Sequence, residues 1–281
     1  MMKSVVTRFA PSPTGLLHLG HVYALKVAVG FAKERGGHCL LRIEDIDFTR
    51  CREIYVEKMM EDLNWLGYEF NEVVRQSSRQ AEYSLAMTQL KQMGVVYPCF
   101  CTRKRLGVEV NLGAPQEGDA VVKKYDGYCR GMSDVECQLR IERNENVAWR
   151  LNIQKCRDLV GDDLMIEDLM KGCHRVTWDE LDDVIIARKD IGISYHLAVV
   201  IDDAWQGVTH VTRGEDLLSS TPIHRILQAL LKLPVPVWYH HRLIRDEGGK
   251  RLAKRDSARS IQSLRDAGMS PNEVLQLLHA S

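Results

Sequence analysis

Two histidines three residues apart, His18 and His21, close the stretch RFAPSPTGLLHLGH, and one helical turn would aim both at a single point. Where a helix begins, its unpaired backbone N–H groups already favour an anion, so a phosphate is the obvious candidate for that point. Far along the chain, Gly248-Gly249 precede Lys250, Arg251, Leu252, Ala253, Lys254 and Arg255. From Arg242 to Arg259 seven Lys/Arg stand against three Asp/Glu. A solvated basic loop would have the same composition. Flexible glycines ahead of closely spaced lysines would also let ammonium groups close over a polyphosphate. Together the histidine pair and the lysine loop suit adenylate-forming chemistry. A third group, Cys99-x-Cys101 followed by Cys129, supplies three soft ligands of the kind zinc prefers, the alternative being structural or free thiols. Cys39, Cys51, Cys137, Cys156 and Cys173 have no ligand spacing and read as core or free thiols.

These groups need elements to hold them. Residues 1–10, with Val5, Val6, Phe9 and Ala10, read as a strand that Pro11 and Pro13 end, because neither proline can donate to a sheet. From Leu19 the apolar Val22, Leu25 and Val29 fall at helical spacing until Gly36-Gly37 stop the run. HCLLRIED (His38 to Asp45) reads as a second strand, apolar enough for a parallel sheet buried on both faces. A helix follows over Cys51–Gly67, burying Ile54, Met59, Leu63 and Leu66, and another runs from about Ser78 to Met93. The next stretch has no sustained period, and residues 145–190 look mainly β-rich and irregular. SYHLAVVIDD (Ser194 to Asp203) reads as a strand restoring the parallel sheet, followed by a helix from about Pro222 to Leu231. The expected architecture is α/β: a parallel sheet in two halves, 1–96 and 192–281, around an inserted module at 97–191. The second half carries the lysine loop and a short C-terminal helical segment.

Composition permits this and narrows the function. Among 281 residues 45% are hydrophobic and 27% charged, as in globular proteins, and no apolar run reaches the ~20 residues of a membrane helix. Lys plus Arg equals Asp plus Glu at 38 each, so any contact with nucleic acid must be local. There is no secretory signal pattern, and eight cysteines without one suit a reducing, cytoplasmic setting.

With RFAPSPTGLLHLGH, RIEDID, YHLAVVIDDAWQGVTHVTRGEDLL and RLAKR in hand, the chain resembles the class I aminoacyl-tRNA synthetases of the glutamyl branch. Within that branch it is similar to the truncated glutamyl-queuosine tRNA(Asp) synthetases. The resemblance implies a Rossmann-type parallel sheet with a zinc-containing α+β insertion and no anticodon-binding domain. It implies activation of L-glutamate with ATP and Mg²⁺, independent of tRNA, and transfer to the wobble queuosine of tRNA(Asp) by a monomer. The alternatives are a compact or split glutamyl-tRNA synthetase charging tRNA(Glu), a different nucleotidyltransferase sharing the histidine turn, and a non-catalytic tRNA-binding relative. By resemblance, His18, His21 and Lys254 are catalytic, and the two histidines with Arg251, Leu252, Ala253, Lys254 and Arg255 bind ATP. Arg8 would face the glutamate γ-carboxylate, with Phe9, Ala10, Pro11 and Ser12 shaping the pocket. Glu44 would take the α-ammonium, and Tyr195 and Arg213 complete the site. Taken singly, Arg8 is also an ordinary strand-end arginine, Glu44 one of a solvated acidic cluster and Tyr195 an amphipathic sheet residue. One structural zinc would be held by Cys99, Cys101 and Cys129 with Tyr125 as fourth ligand. Ala253 stands where the family has serine, which removes one possible hydrogen bond, ~1 kcal/mol in an ordinary context.

Overall fold

A computed structural model describes residues 4–102, 105, 125–188, 192–244 and 260–278. The first strand, β1 (Val6–Phe9), runs into helix α1 (Leu19–Glu34) and returns as β2 (His38–Ile43) parallel to β1, with Phe9 opposite Leu41. The return is tight. A Cβ on Gly37 would lie 1.9 Å from the Val5 carbonyl oxygen, so only glycine fits there. Helix α1 buries Val22, Leu25, Ala28 and Phe31, three residues apart along one face. Helix α2 (Glu53–Trp65) then leads to β3 (Val73–Arg75), parallel to β2 on its far side. A 3₁₀ turn over Gln76–Arg79 opens into α3 (Gln80–Gln92).

The middle of the chain divides between two sheets. Strand β4 (Val96–Cys99) pairs antiparallel with β5 (Ala148–Leu151), with helix α4 (Asp134–Glu142) between them in sequence. After α5 (Ile153–Val160) come the antiparallel pair β6 (Met165–Asp168) and β7 (Gly172–Arg175), then β8 (Ile185–Arg188) and β9 (Gly192–Ile193). Strands β8 and β9 extend the β4–β5 sheet. Helix α6 (Tyr195–Trp205) precedes β10 (His210–Gly214), and α7 (Thr221–Leu230) carries the chain to β11 (Val237–His241), parallel to β10. Strand β6 does not join the β4–β5 sheet. It pairs parallel with β11, Asp168 opposite Trp238, so residues from the middle of the chain reach the second half's sheet. Short helices α8 (Ile261–Asp266) and α9 (Pro271–Leu277) end the described chain.

The two parallel sets meet along β1 and β10. Thr209 N donates to Val6 O (2.9 Å), and Val6 N donates to Thr209 Oγ1 (2.8 Å). Joined at this contact, the three-stranded sheet β3-β2-β1 and the four-stranded sheet β10-β11-β6-β7 lie in a doubly wound order whose winding reverses between β1 and β10. Ligands of such sheets bind outside the carboxyl ends of the strands at that reversal. Side chains alternate across the sheet: Leu41 packs with Leu25, Met59, Leu63 and Ile261, and Leu40 with the cluster of Tyr83, Leu197, Ile226 and Trp238.

Two expectations need correction. SYHLAVVIDD is helix α6, and β10 supplies the strand. A helix buried nearly all round, here with Tyr195, Leu197, Ala198, Val199, Val200, Asp202 and Asp203 all buried, loses the apolar period that separates helix from buried strand. Ile54 on α2 is exposed, and Val56 takes its place in the interior. The stretch 145–190 is mainly β, with β5, β6, β7 and β8, and helix α5 lies among them. Among the described residues no helix is long and apolar enough to cross a membrane.

Candidate active site

The histidine turn sits where the sequence places it, between β1 and α1. The loop after β1 is tied down from the side: Glu44 N donates to Pro11 O (3.0 Å) and Arg52 N to Pro13 O (3.1 Å). His18 caps α1, its Nδ1 accepting from Gly20 N (3.1 Å), while His21 Nδ1 accepts from His18 N (3.2 Å). The imidazole rings lie 3.8 Å apart between centroids. Because each Nδ1 is an acceptor, each neutral ring carries its proton on Nε2, the donor a phosphate oxygen needs. The second nucleotide motif, Arg251, Leu252, Ala253, Lys254 and Arg255, lies outside the described residues. The chain on its far side re-enters beside the histidines: Ser260 bridges to His18, and Ile261 N donates to Leu17 O (2.9 Å).

Next to this turn a cleft of at most about 250 Å³ is lined by Ser12, Thr14, Glu44, Ile46, Asp47, Arg50, Cys51, Gln76 and Tyr195. Of the expected glutamate residues, Ser12, Glu44 and Tyr195 line it, and Arg8, Phe9, Ala10, Pro11 and Arg213 do not. Glu44 is 5% exposed, and burial pushes its carboxyl up to about 7 against the opposing pull of Arg42 and Arg8. Arg8 donates from Nε to Asp203 Oδ1 (3.0 Å) and from Nη1 to Thr212 O (3.1 Å). Asp203 also accepts from Arg42 Nη1 (2.8 Å), whose Nη2 reaches Glu44 (3.4 Å). Burial would raise the Asp203 carboxyl, but the two guanidiniums outweigh it and hold it below the usual carboxylate range. Arg42 and Asp203, the pair that frames Glu44 and Arg8, were not singled out from sequence. Their only signal was a charged residue inside an otherwise apolar strand or helix.

Arg213 is held differently. Its Nε donates to His240 Nε2 (3.0 Å), Nη1 to Tyr195 Oη (3.2 Å) and Nη2 to Thr221 Oγ1 (2.6 Å), and His224 Nδ1 lies 3.1 Å from Nη1. Burial, reinforced by the Arg213 charge, pushes His240 down to about 4 and His224 well below its ordinary value, so both rings are neutral acceptors. His240 Nδ1 in turn donates to Asp168, which burial would raise but the His240 bond and the Met170 and Lys171 amides keep low. Among the described residues every direct partner of this buried guanidinium is thus uncharged, which leaves its charge for a ligand. Asp168, Thr221, His224 and His240 were missed in the sequence because they converge from three distant elements.

The cysteines assemble as expected. Cys99 ends β4, and a turn with Gly127 at φ 73° brings Tyr125 and Cys129 alongside. The three sulfurs lie within 4.8 Å of one another, with Cys101 Sγ 3.6 Å from Cys129 Sγ. Tyr125 Oη is 3.5 Å from Cys99 Sγ and 3.8 Å from Cys101 Sγ. Metal–sulfur bonds of ~2.3 Å at tetrahedral angles put sulfurs ~3.8 Å apart, so the spacing can hold a metal ion. A hydrogen bond from Cys129 is the largest influence lowering the Cys99 thiol, to about 4, with Tyr125 and Arg150 also helping; Cys129 and Tyr125 are raised. Asp183, 1% exposed, anchors the loop through Tyr97 Oη (2.5 Å), Arg130 Nε (2.7 Å) and Ile153 N (3.0 Å).

Comparison with known proteins matches residues 4–280 to the family of tRNA synthetases class I (E and Q), catalytic domain. The chain belongs to this family. It is 44% identical to the glutamyl-Q tRNA(Asp) synthetase of Rhodobacter capsulatus, the match covering 98% of this chain and 99% of that protein. It is 37% identical to the glutamate–tRNA ligase of Aquifex aeolicus over 99% of this chain but 57% of the ligase. The crystal structure of glutamate-tRNA synthetase from Elizabethkingia anophelis superposes with a TM-score of 0.81 at 28% identity, covering 98% of this chain and 61% of that one. The protein is therefore a class I synthetase-type ligase with the catalytic-domain fold of that class.

Proposed function

We propose that the chain joins L-glutamate to ATP, with Mg²⁺, as glutamyl adenylate, and transfers the glutamyl group to the wobble queuosine of tRNA(Asp). The observation that carries the reading is the end-to-end match to a glutamyl-Q tRNA(Asp) synthetase at 44% identity. The charge of the site supports the first half. Arg8 and Arg42 pair with Asp203, and Arg42 also with Glu44, while the buried Arg213 has only uncharged direct partners among the described residues. Glutamate, with two carboxylates and one ammonium, brings an anion for a guanidinium and a cation for Glu44. Arg8 and Arg213 take the γ-carboxylate in this reading, and Glu44 the α-ammonium. Nη2 of Arg8, which makes no bond among the described residues, is the atom left for that contact.

The α-carboxylate oxygen attacks the α-phosphorus, the new C–O–P link forms, and the bond to the β-phosphate breaks to release pyrophosphate. Protein catalysis here is alignment and charge neutralisation rather than covalent chemistry. His18 and His21 donate through Nε2 to the α-phosphate region, at a helix N-terminus that itself favours the anion. Lys254, with the Mg²⁺ that accompanies ATP, neutralises the leaving pyrophosphate. Cys99, Cys101, Cys129 and Tyr125 hold one zinc, whose part is structural, tying the turn to β4. Because every group assigned to activation is on this chain, glutamate-dependent ATP–pyrophosphate exchange should proceed without tRNA. No exchange with saturating glutamate and Mg²⁺ would refute the adenylate half of the reading. A second reading, charging of tRNA(Glu), is favoured by the 37% match to a glutamate–tRNA ligase. It differs only in the acceptor.

A further inference from the structure

Gln76 lines the amino-acid cleft at the start of the 3₁₀ turn and is fully buried. Its amide nitrogen is committed: Nε2 donates to Asp202 Oδ2 (2.8 Å). Asp202 is itself fixed on α6 by Arg79 Nε (2.7 Å) and Tyr83 Oη (2.7 Å). A carboxylate can only accept from the amide, so the orientation of Gln76 is set by this network. The other end, Oε1, is buried and has no hydrogen-bond partner among the described residues. A buried carbonyl oxygen left without a donor is costly, and in a ligand cleft it marks a place for a donor. Negative charge on Asp202 behind the amide polarises it and makes that oxygen a better acceptor. Across the same cleft stands Glu44, close enough for Asp202 to influence its ionisation.

We infer that Gln76 Oε1 is a second acceptor for the substrate's α-ammonium, sharing it with Glu44, so that the cleft distinguishes an α-amino acid from its desamino counterpart. The ammonium has three N–H donors, more than one carboxylate satisfies in a dry site. This rests on the glutamyl-adenylate reading above, and it adds a specificity residue outside the sequence motifs that point to that reading.

The test uses the full chain and two stable phosphate-ester analogues of glutamyl adenylate, one with the α-ammonium and one without. In Gln76→Met, similar in length and lacking the acceptor, the amino analogue should bind about ten- to a hundredfold more weakly, the range of one hydrogen bond to a charged group. The desamino analogue should bind within about twofold of wild type, as no contact with it is lost. Equal weakening of both would show that Gln76 acts only by holding Asp202 and would overturn the inference, as would no weakening of either. Should the methionine variant not fold, Gln76→Asn, one methylene shorter, draws the whole amide back from the cleft while staying polar, and the same selective loss is expected. Failure of the wild-type protein to bind either analogue would sink the glutamyl-adenylate reading itself. Tight binding of both with no preference for the amino form would sink the inference alone.

Discussion

Replacing Glu44 by glutamine should stabilise the ligand-free protein at neutral pH while weakening its hold on glutamate. Burial lifts this carboxyl from an ordinary 4.5 to about 7, and an unfolded chain restores the ordinary value. A group whose folded pKa is raised favours the folded state most below the unfolded pKa, and that advantage is lost as pH rises through the folded one. From pH 4.5 to above 7 the wild-type protein should lose about 3 kcal/mol that an uncharged glutamine does not lose, at about 1.4 kcal/mol per pKa unit. Thermal unfolding of both proteins from pH 5 to 8 reads this directly. The variant's lead should widen with pH and level off above 7, reaching about 6 °C at roughly 2 °C per kcal/mol. Subtracting the two curves cancels every other titrating group, Asp62 included, whose carboxyl burial lifts to about 6. A gap that stays constant with pH, or narrows as pH rises, would refute a buried, strained Glu44. Binding supplies the complementary half. A docking ammonium favours the ionised carboxylate, so wild-type affinity for glutamate should fall as pH drops below 7, approaching about tenfold per unit, and the variant should lose that slope.

Lys254→Ala should remove most glutamate-dependent ATP–pyrophosphate exchange, because lost stabilisation of the leaving group raises the barrier directly; wild-type exchange would show that another cation does this work. Arg8→Leu should lower the affinity for glutamate more than for glutamine and also cost stability, since Asp203 would keep only Arg42; the cost of breaking a buried pair is ~3–5 kcal/mol, here at its lower end. Equal effects on the two amino acids would remove Arg8 from side-chain recognition. Protein purified without chelators should carry about one zinc per chain, and Cys129→Ser should lose it together with thermal stability. A metal content near zero with three freely reacting thiols would remove the site.

Much of the site was legible because its signals are local. The turn before α1 announces itself through Pro11, Pro13 and the histidine spacing, and Cys99, Cys101, Tyr125 and Cys129 do converge. What stayed hidden is the support those residues need. Asp168 reaches His240, and through it Arg213, only because β6 pairs with β11, a long-range pairing that no local pattern encodes. Helix α6 reads as a strand because both its faces are covered, and no local pattern marks its Asp202 and Asp203 as buried anchors. Gln76 carries no motif at all; only the three-dimensional arrangement shows an acceptor without a donor.

The acceptor is the central claim, and one labelling experiment addresses it most directly. Radiolabelled glutamate, ATP and Mg²⁺ are incubated with tRNA(Asp) whose 3′ end is blocked and whose wobble base is queuosine, beside tRNA(Asp) from cells lacking queuosine. The cyclopentene diol of queuosine offers a hydroxyl much like that of a terminal ribose, so an ester can form there from the same adenylate. Recognition of an unstacked anticodon loop suits the way single-stranded RNA is usually read. The blocked, queuosine-containing tRNA(Asp) should become labelled and the queuosine-free tRNA should not. Label on the 3′ end of tRNA(Glu), with none on blocked tRNA(Asp), would contradict the account and make the protein a glutamyl-tRNA synthetase instead.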